Sequence, residues 1–192
     1  MNKETIILEL YERVELACKS TNNKYGYGIW SHHIVDVIKF SKELARIYNA
    51  DEEIVEIAAL LHDYAGIKNS ANRENHHVVG AEEAEELLVK YGYPQKRIDM
   101  VKNCILNHRS SVNNAKNTLE EVCIASADAL AHINQISSLF YVSYKQLEMD
   151  IDSGQEWVDT KIEKDWNKLC SKGKEIIEEK YKAVKILYGK SS

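Results

Sequence analysis

The chain is poor in the residues that interrupt helices. Its 192 residues include one proline and eight glycines. That leaves few turn formers for a fold of many short strands, and the apolar residues recur at spacings of three and four, the helix period. No run of eighteen apolar residues occurs, so no segment reads as a membrane-spanning helix. The opening Met1-Asn2-Lys3-Glu4 lacks the pattern of a signal peptide. There is no CxxC pair either: Cys18, Cys104, Cys123 and Cys170 are widely separated. They read as free, mostly buried thiols, which fits a cytoplasmic location. An excess of basic residues is missing too. Twenty-five Lys and Arg against thirty Asp and Glu give a net charge of −5, which argues against a nucleic-acid polymer or an anionic membrane as partner. A small phosphorylated molecule stays open, because a bound metal supplies local positive charge.

What is there is helix after helix, and the pattern predicts an all-α fold. The length suits one domain, taken as 1–192. An amphipathic helix is expected over 3–20, then a polar loop from Thr21 to Gly28. A helix over 30–48 follows, with Val37, Phe40 and Leu44 on one stripe. Asp51 caps a third helix to about Ala65, and Gly66 to Asn75 reads as a loop. Asn75 is the expected N-cap of a helix from His76 to about Lys90. Pro94 opens another, to about His108, and Ser110 to Asn117 is a polar loop. Thr118-Leu119-Glu120-Glu121 reads as a capping box for a helix through Ile133 and on toward Met149. Ser153-Gly154 reads as a break before apolar positions from Trp157 to Tyr188, with Gly173 the expected division.

The chemistry lies in polar residues set into apolar helices. His62-Asp63 ends the run Ile54-Val55-Glu56-Ile57-Ala58-Ala59-Leu60-Leu61. Burying such a pair unsatisfied costs several kcal/mol, roughly, for each polar group. His108 continues the stripe Ile98, Val101, Ile105, and His33 shares the stripe of Val37, Phe40 and Leu44. Asp128 sits within Cys123-Ile124-Ala125-Ser126-Ala127-Asp128-Ala129-Leu130-Ala131, a setting with few partners for a carboxylate. His76 is in phase with Gly80, Ala84 and Leu87. Taken singly, a histidine on an apolar stripe is more often a hydrogen-bonded core residue. Taken together, these residues read as one metal site built from distant segments. Imidazole with carboxylate suits Mn, Fe, Co, Ni or Zn, and Mg where carboxylates and waters dominate. His32 and His132 have weaker claims: each neighbours a better candidate and reads as a support behind a ligand or as exposed, and His77 reads as a solvated first-turn residue.

In order and spacing, His33, His62-Asp63 and Asp128 resemble the H…HD…D signature of the HD-domain superfamily of metal-dependent phosphohydrolases. The resemblance covers about residues 30–135 and includes Trp30-Ser31-His32-His33, Ala58-Ala59-Leu60-Leu61-His62-Asp63, His76-His77-Val78-Val79-Gly80-Ala81-Glu82, Ile105-Leu106-Asn107-His108-Arg109 and Ser126-Ala127-Asp128-Ala129-Leu130. It implies an all-α HD helical bundle, here with a C-terminal helical extension over about 153–190. It implies one or two divalent metal ions per site, the first held by His33, His62, Asp63 and Asp128. His76 and His108 join the site where two metals bind, with Asp63 bridging. The activity implied is hydrolysis of a phosphate ester or anhydride, of a nucleotide by expectation, with Asp63, His76 and His108 as the catalytic set. Arg109, Lys68 and Arg73 are candidate phosphate-binding residues; for Lys68 and Arg73, ordinary solvated loop charge is an equal reading.

The chain also departs from the pattern. Its central motif continues Tyr64-Ala65-Gly66, with Lys68 the nearest basic residue, and no acidic residue follows between Tyr64 and Asn69. Arg109 stands where some branches carry a second histidine. Asp36 occupies a position that is often arginine. Two rival functions are a di-iron oxygenase on an HD-like scaffold and a non-catalytic regulatory domain that binds metal. In the C-terminal segment, Trp157, Trp166 and Tyr181 fall on different faces and read as core or homodimer contacts.

Overall fold

A computed structural model describes residues 3–109 and 116–188. The expected loop over Ser110 to Asn117 thus lies largely outside the described residues. Among these, all regular structure is helical. The order is α1 (Lys3–Lys19), a π-helical turn (Trp30–Ile34) running into α2 (Val35–Tyr48), α3 (Glu52–Leu61), α4 (Tyr64–Lys68), α5 (His76–Lys90), α6 (Gln95–Asn107), α7 (Leu119–Asn134), α8 (Ile136–Tyr141), a second π-helical turn (Val142–Gln146), α9 (Ile151–Lys168) and α10 (Ser171–Tyr188). No helix among the described residues is long and apolar enough to cross a membrane. Cys18, Cys104, Cys123 and Cys170 are free.

The bundle is organised around α3 and α7. In α3, Ile54, Val55, Ile57, Ala58, Ala59, Leu60 and Leu61 are all buried, so it is apolar nearly all round and must be enclosed. Helices α1, α2, α6 and α7 enclose it. The helix starts where Asp51 accepts from the backbone N–H groups of Glu53 and Ile54, both at 3.1 Å. Arg97 clamps the same carboxylate at 2.8 and 3.0 Å. Helix α7 packs on α2 in front and on α9 and α10 behind, which brings the C-terminal extension against the face that carries Asp128.

Several boundaries differ from expectation. The third helix stops at Leu61, because Asp63 (φ −105°, ψ 0°) leaves helical geometry. The break matters, since neighbouring residues on an unbroken helix point about 100° apart and cannot face one target. The Gly66–Asn75 segment is not a plain loop: it opens within α4 and continues as a 3₁₀ turn over Ser70–Asn72. Asn75 precedes α5 without a side-chain cap. Half of the expected capping box forms: Thr118 accepts from the Glu121 N–H at 3.3 Å. The Glu121 carboxylate turns instead to Asn107 Nδ2 (2.8 Å) and the Asn117 N–H (3.2 Å). The chain bends after Asn134, so α7 does not run on to Met149.

Ser153 and Gly154 lie inside α9, which Asp150 caps by accepting from the Ser153 N–H at 2.8 Å. Gly154 serves close packing, since a Cβ there would lie 2.3 Å from Tyr144 Cε1. The division between the last two helices falls at Leu169-Cys170, and Gly173 is helical. Trp166 stacks on Tyr181 with centroids 4.1 Å apart, which ties α9 to α10 within one chain.

Candidate metal centre

Six residues from distant segments meet. The π-helical turn presents His33, the end of α3 presents His62 and Asp63, the first turn of α5 presents His76, the end of α6 presents His108, and mid-α7 presents Asp128. A π-helical turn at such a position is a common device for re-aiming a side chain. His62, His108, His33 and Asp128 are buried, whereas Asp63 remains partly open to solvent.

The donors form two adjoining sets that share Asp63. Its Oδ2 lies 3.3 Å from His33 Nε2 and 3.4 Å from His62 Nε2. Its Oδ1 lies 3.2 Å from His76 Nε2 and 3.9 Å from His108 Nε2. Within the sets, His33 Nε2 is 3.1 Å from His62 Nε2, and His76 Nε2 is 3.1 Å from His108 Nε2. Asp128 adds Oδ1 to the first set, 3.5 Å from His33 Nε2 and 4.0 Å from His62 Nε2.

The tautomers show why these sets suit a cation. His62 Nδ1 lies 2.8 Å from the Ala59 carbonyl, His76 Nδ1 lies 2.7 Å from that of Arg73, and His108 Nδ1 lies 2.6 Å from that of Ile105. A carbonyl only accepts, so each Nδ1 carries the hydrogen, and each ring when neutral turns an Nε2 lone pair inward. Lone pairs at 3.1 Å repel unless a proton or metal lies between them. Donors about 2.0–2.2 Å from one metal stand roughly 3–3.5 Å from each other; six of the eight separations fall there, and the His108–Asp63 and His62–Asp128 pairs are wider, at 3.9 and 4.0 Å. Second partners that fix the tautomer are typical of metal-ligating histidines. His33 differs, because its Nδ1 is buried without a partner.

The electrostatics agree. Burial pulls the His62 imidazole down, but the Asp63 and Asp128 carboxylates outweigh it and raise its pKa to about 9. Burial, with the charge on His62, holds His108 well below the usual range, so it is neutral. Burial alone would raise Asp63; the surrounding histidines, His62 foremost, hold it well below the usual carboxylate range. The same burial acts on Asp128, where Lys168 is the strongest opposing charge and again holds the group low.

Behind the first set lies a supporting layer, in which Asp165 is the residue the sequence did not single out. His132 stacks on His33 (centroids 4.8 Å, 14° between planes) and places Nε2 3.7 Å from Asp128 Oδ1. Its Nδ1 meets Asp165 Oδ2 at 3.0 Å and Lys161 Nζ at 3.1 Å. Lys161 also binds both oxygens of the fully buried Asp165, at 2.8 and 2.9 Å. Lys168 donates to Asp128 Oδ2 at 2.6 Å and to the His108 carbonyl at 3.2 Å. Asp128 is therefore divided: Oδ2 belongs to α9 and Oδ1 faces the donors. A signal for this layer was available. Asp165 continues the stripe of Val158, Ile162 and Leu169, and His132 lies one turn after Asp128.

The structure does not bring the expected phosphate-binding residues together at the cluster. Lys68 pairs with Glu83 at 3.0 Å and lies over the Tyr64 ring. Arg109 pairs with Glu74 at 3.1 Å. Arg73 bears on the cluster through its carbonyl, which orients His76. Asp36 accepts from Asn134 and Gln135, at 2.7 and 3.1 Å, at the end of α7.

The HD-domain family model matches residues 30–133, just over half of the chain. The chain belongs to the HD-domain family. Membership implies divalent metal binding and places the protein in a family of metal-dependent hydrolases, and the donor sets above fit such a metal. The HD fold is shared along most of the chain with the Lin1889 protein from Listeria innocua (TM-score 0.71, 22% identity, 98% of this chain and 94% of that one). Bacillus subtilis YpgQ, solved in complex with ADP, is also similar (TM-score 0.60, 20% identity, 90% of each chain). So is a predicted HD superfamily hydrolase from an uncultured Thermotogales bacterium (TM-score 0.56, 23% identity, 81% of this chain and 84% of that one). No curated protein matches the HD chain.

Proposed function

We propose that this HD domain is a metal-dependent phosphohydrolase that cleaves a phosphate ester or anhydride of a small, nucleotide-class substrate. The observation that carries the reading is the two-sided Asp63 carboxylate, with one oxygen on each of two histidine pairs whose Nε2 atoms converge. His33, His62, Asp63 and Asp128 would hold one divalent ion, of the Mn, Fe, Co, Ni, Zn or Mg class. His76, His108 and the second oxygen of Asp63 would hold another. The chemistry supplied when such an ion is bound is a water of near-neutral pKa and charge stabilisation on the phosphoryl oxygens.

The chain's own residues prepare that chemistry. Three carbonyls fix the rings of His62, His76 and His108, so little reorganisation is needed on binding. Lys168 holds Asp128 with Oδ1 forward. The partly open Asp63 is the group placed to orient a water between the two sets. Nucleotide chemistry is supported by the ADP complex of the structurally similar YpgQ.

The test is metal analysis of protein purified without chelator, followed by a phosphate-release screen over nucleoside mono-, di- and triphosphates. His62→Ala and Asp128→Ala are expected to lose both metal and turnover. Full metal content with full turnover in either variant refutes the site. Oxygen consumption with no phosphate release would replace the hydrolase with an iron oxygenase.

A further inference from the structure

A cavity of about 410 Å³ opens directly onto the first donor set, with Asp63, His33 and His132 among its lining residues. Asp63 and His33 belong to that set. His132 does not, yet its Nε2 lies 3.7 Å from Asp128 Oδ1. That separation is too long for a hydrogen bond, so the nitrogen is not committed to Asp128. The ring itself is fixed. It stacks on His33 with centroids 4.8 Å apart, and its Nδ1 meets Lys161 Nζ at 3.1 Å and Asp165 Oδ2 at 3.0 Å.

Lys161 and Asp165 ask opposite things of Nδ1, because an ammonium only donates and a carboxylate only accepts. Burial alone would lower the pKa of Lys161; the Asp165 carboxylate outweighs it and raises it, so the amine is charged. Burial, with the Lys161 charge beside it, lowers the His132 imidazole, so the ring is neutral and carries one hydrogen. Asp165 already accepts from Lys161 through both oxygens, at 2.8 and 2.9 Å, and needs nothing from the ring. The third Lys161 hydrogen has Nδ1 as its acceptor. At the other end, a lone pair on Nε2 would face the Asp128 carboxylate, whereas an N–H is attracted to it. Both ends put the hydrogen on Nε2.

We propose that His132 is a catalytic residue of this chain: its Nε2–H donates to a phosphoryl oxygen of the substrate at the first donor set, and Lys161 is the positioning residue that keeps the hydrogen there. The inference rests on the phosphohydrolase reading and adds a residue to it. Charge builds on the phosphoryl oxygens during hydrolysis, and a fixed neutral donor stabilises it without reorganising. His132 forms no covalent bond, and its hydrogen stays on Nε2. The first set already offers four protein donors, His33, His62, Asp63 and Asp128. A fifth imidazole on the same ion would take a position that a water or a phosphoryl oxygen needs. The contact is also one that Lys68 and Arg109 do not make, since Glu83 and Glu74 hold them.

Two measurements test the proposal. The first is imidazole nitrogen NMR of metal-free and magnesium-loaded protein at pH 7, with the His132 signals identified by their absence from His132→Phe. The ring hydrogen is expected on Nε2 in both states. In Lys161→Met it is expected on Nδ1, drawn there by an Asp165 that has lost its ammonium. The second is binding of inorganic phosphate to the manganese-loaded protein, alongside phosphate release from nucleotides. His132→Phe keeps a ring to stack on His33 and is expected to keep the metal content of the unaltered protein. It should bind phosphate at least about tenfold more weakly, the loss of one hydrogen bond to a charged group, and lower kcat about 100-fold. His132→Gln retains an N–H donor of similar reach and should recover part of both losses. A hydrogen on Nδ1 in the unaltered protein, metal lost from His132→Phe, or phosphate bound as tightly by that variant overturns the proposal and leaves the phosphohydrolase standing. Phosphate binding that depends on His132, with no phosphate released from any nucleotide, supports the donor and overturns the hydrolase.

Discussion

Metal binding by this HD domain is expected to release a proton, and the source is His62. In the metal-free protein its pKa of about 9 leaves it almost fully charged at pH 7. Its Nδ1 hydrogen is committed to the Ala59 carbonyl, so a cation must displace the proton on Nε2. His108, Asp63 and Asp128 are already deprotonated at pH 7 and release nothing. About one proton is therefore expected from His62 near pH 7 when an ion enters the first set, and affinity there should rise about tenfold per pH unit between pH 6 and 8. Calorimetric titration with Mn²⁺ in two buffers of different ionisation enthalpy measures the release. His62→Gln should remove it along with most of the affinity.

Stability should move the opposite way. The folded pKa of His62 lies above its unfolded value of 6.5, so its contribution is fully present below pH 6.5 and lost as pH rises through about 9. The loss amounts to about 3 kcal/mol, or roughly 6–12 °C in Tm for a chain of this size. Metal-free protein should thus melt lower at pH 9 than at pH 6, and saturating metal should raise Tm most at pH 9. Affinity independent of pH, together with no proton release, would refute this account of His62.

Three further outcomes follow from packing and charge. Lys168→Met leaves the buried Asp128 carboxylate without its closest cation. Urea denaturation should show a loss of about 3 kcal/mol in metal-free protein, of the kind seen when one partner of a buried pair is removed. Gly154→Ala drives a methyl into the Tyr144 ring. The overpacking, about 1–3 kcal/mol, should exceed the helix-propensity gain of about 1 kcal/mol and lower Tm. Asp51→Ala removes an N-cap and a bidentate Arg97 partner together. It should cost about 2 kcal/mol in denaturant titration with the m-value unchanged.

The parts of the structure that were legible in the sequence are those governed by periodicity. His33, His108 and Asp128 stood in phase with apolar stripes, and the structure turns all three inward. Helix ends were less legible, because they depend on tertiary partners. The break at Asp63 has no glycine or proline to announce it; the chain leaves the helix where that lets Asp63 face four histidines. Gly154 misled for the complementary reason, since a glycine inside a helix can serve close approach as well as a turn. The charged layer on α9 was hidden by composition. Lys161, Asp165 and Lys168 look like a solvated face, yet the stripe through Val158, Ile162 and Leu169 places Asp165 inside.

That layer gives the C-terminal extension a role that the H…HD…D pattern alone cannot express. Asp128 offers a single oxygen to the donors because Lys168, from outside the 30–133 match, occupies the other. His132 bears on His33 while being held in turn by Lys161 and Asp165. Once His62 gives up its proton, the carboxylates and inward-facing ring nitrogens repel one another until a cation arrives, and rings free to turn would relieve the repulsion by rotating away. Carbonyls three residues upstream restrain His62, His76 and His108. His33, whose Nδ1 has no such partner, is restrained by stacking on His132. The first donor set thus depends on α9 for both Asp128 and His33, whereas in the second α9 meets His108 at its backbone carbonyl, through Lys168, and not at its ring.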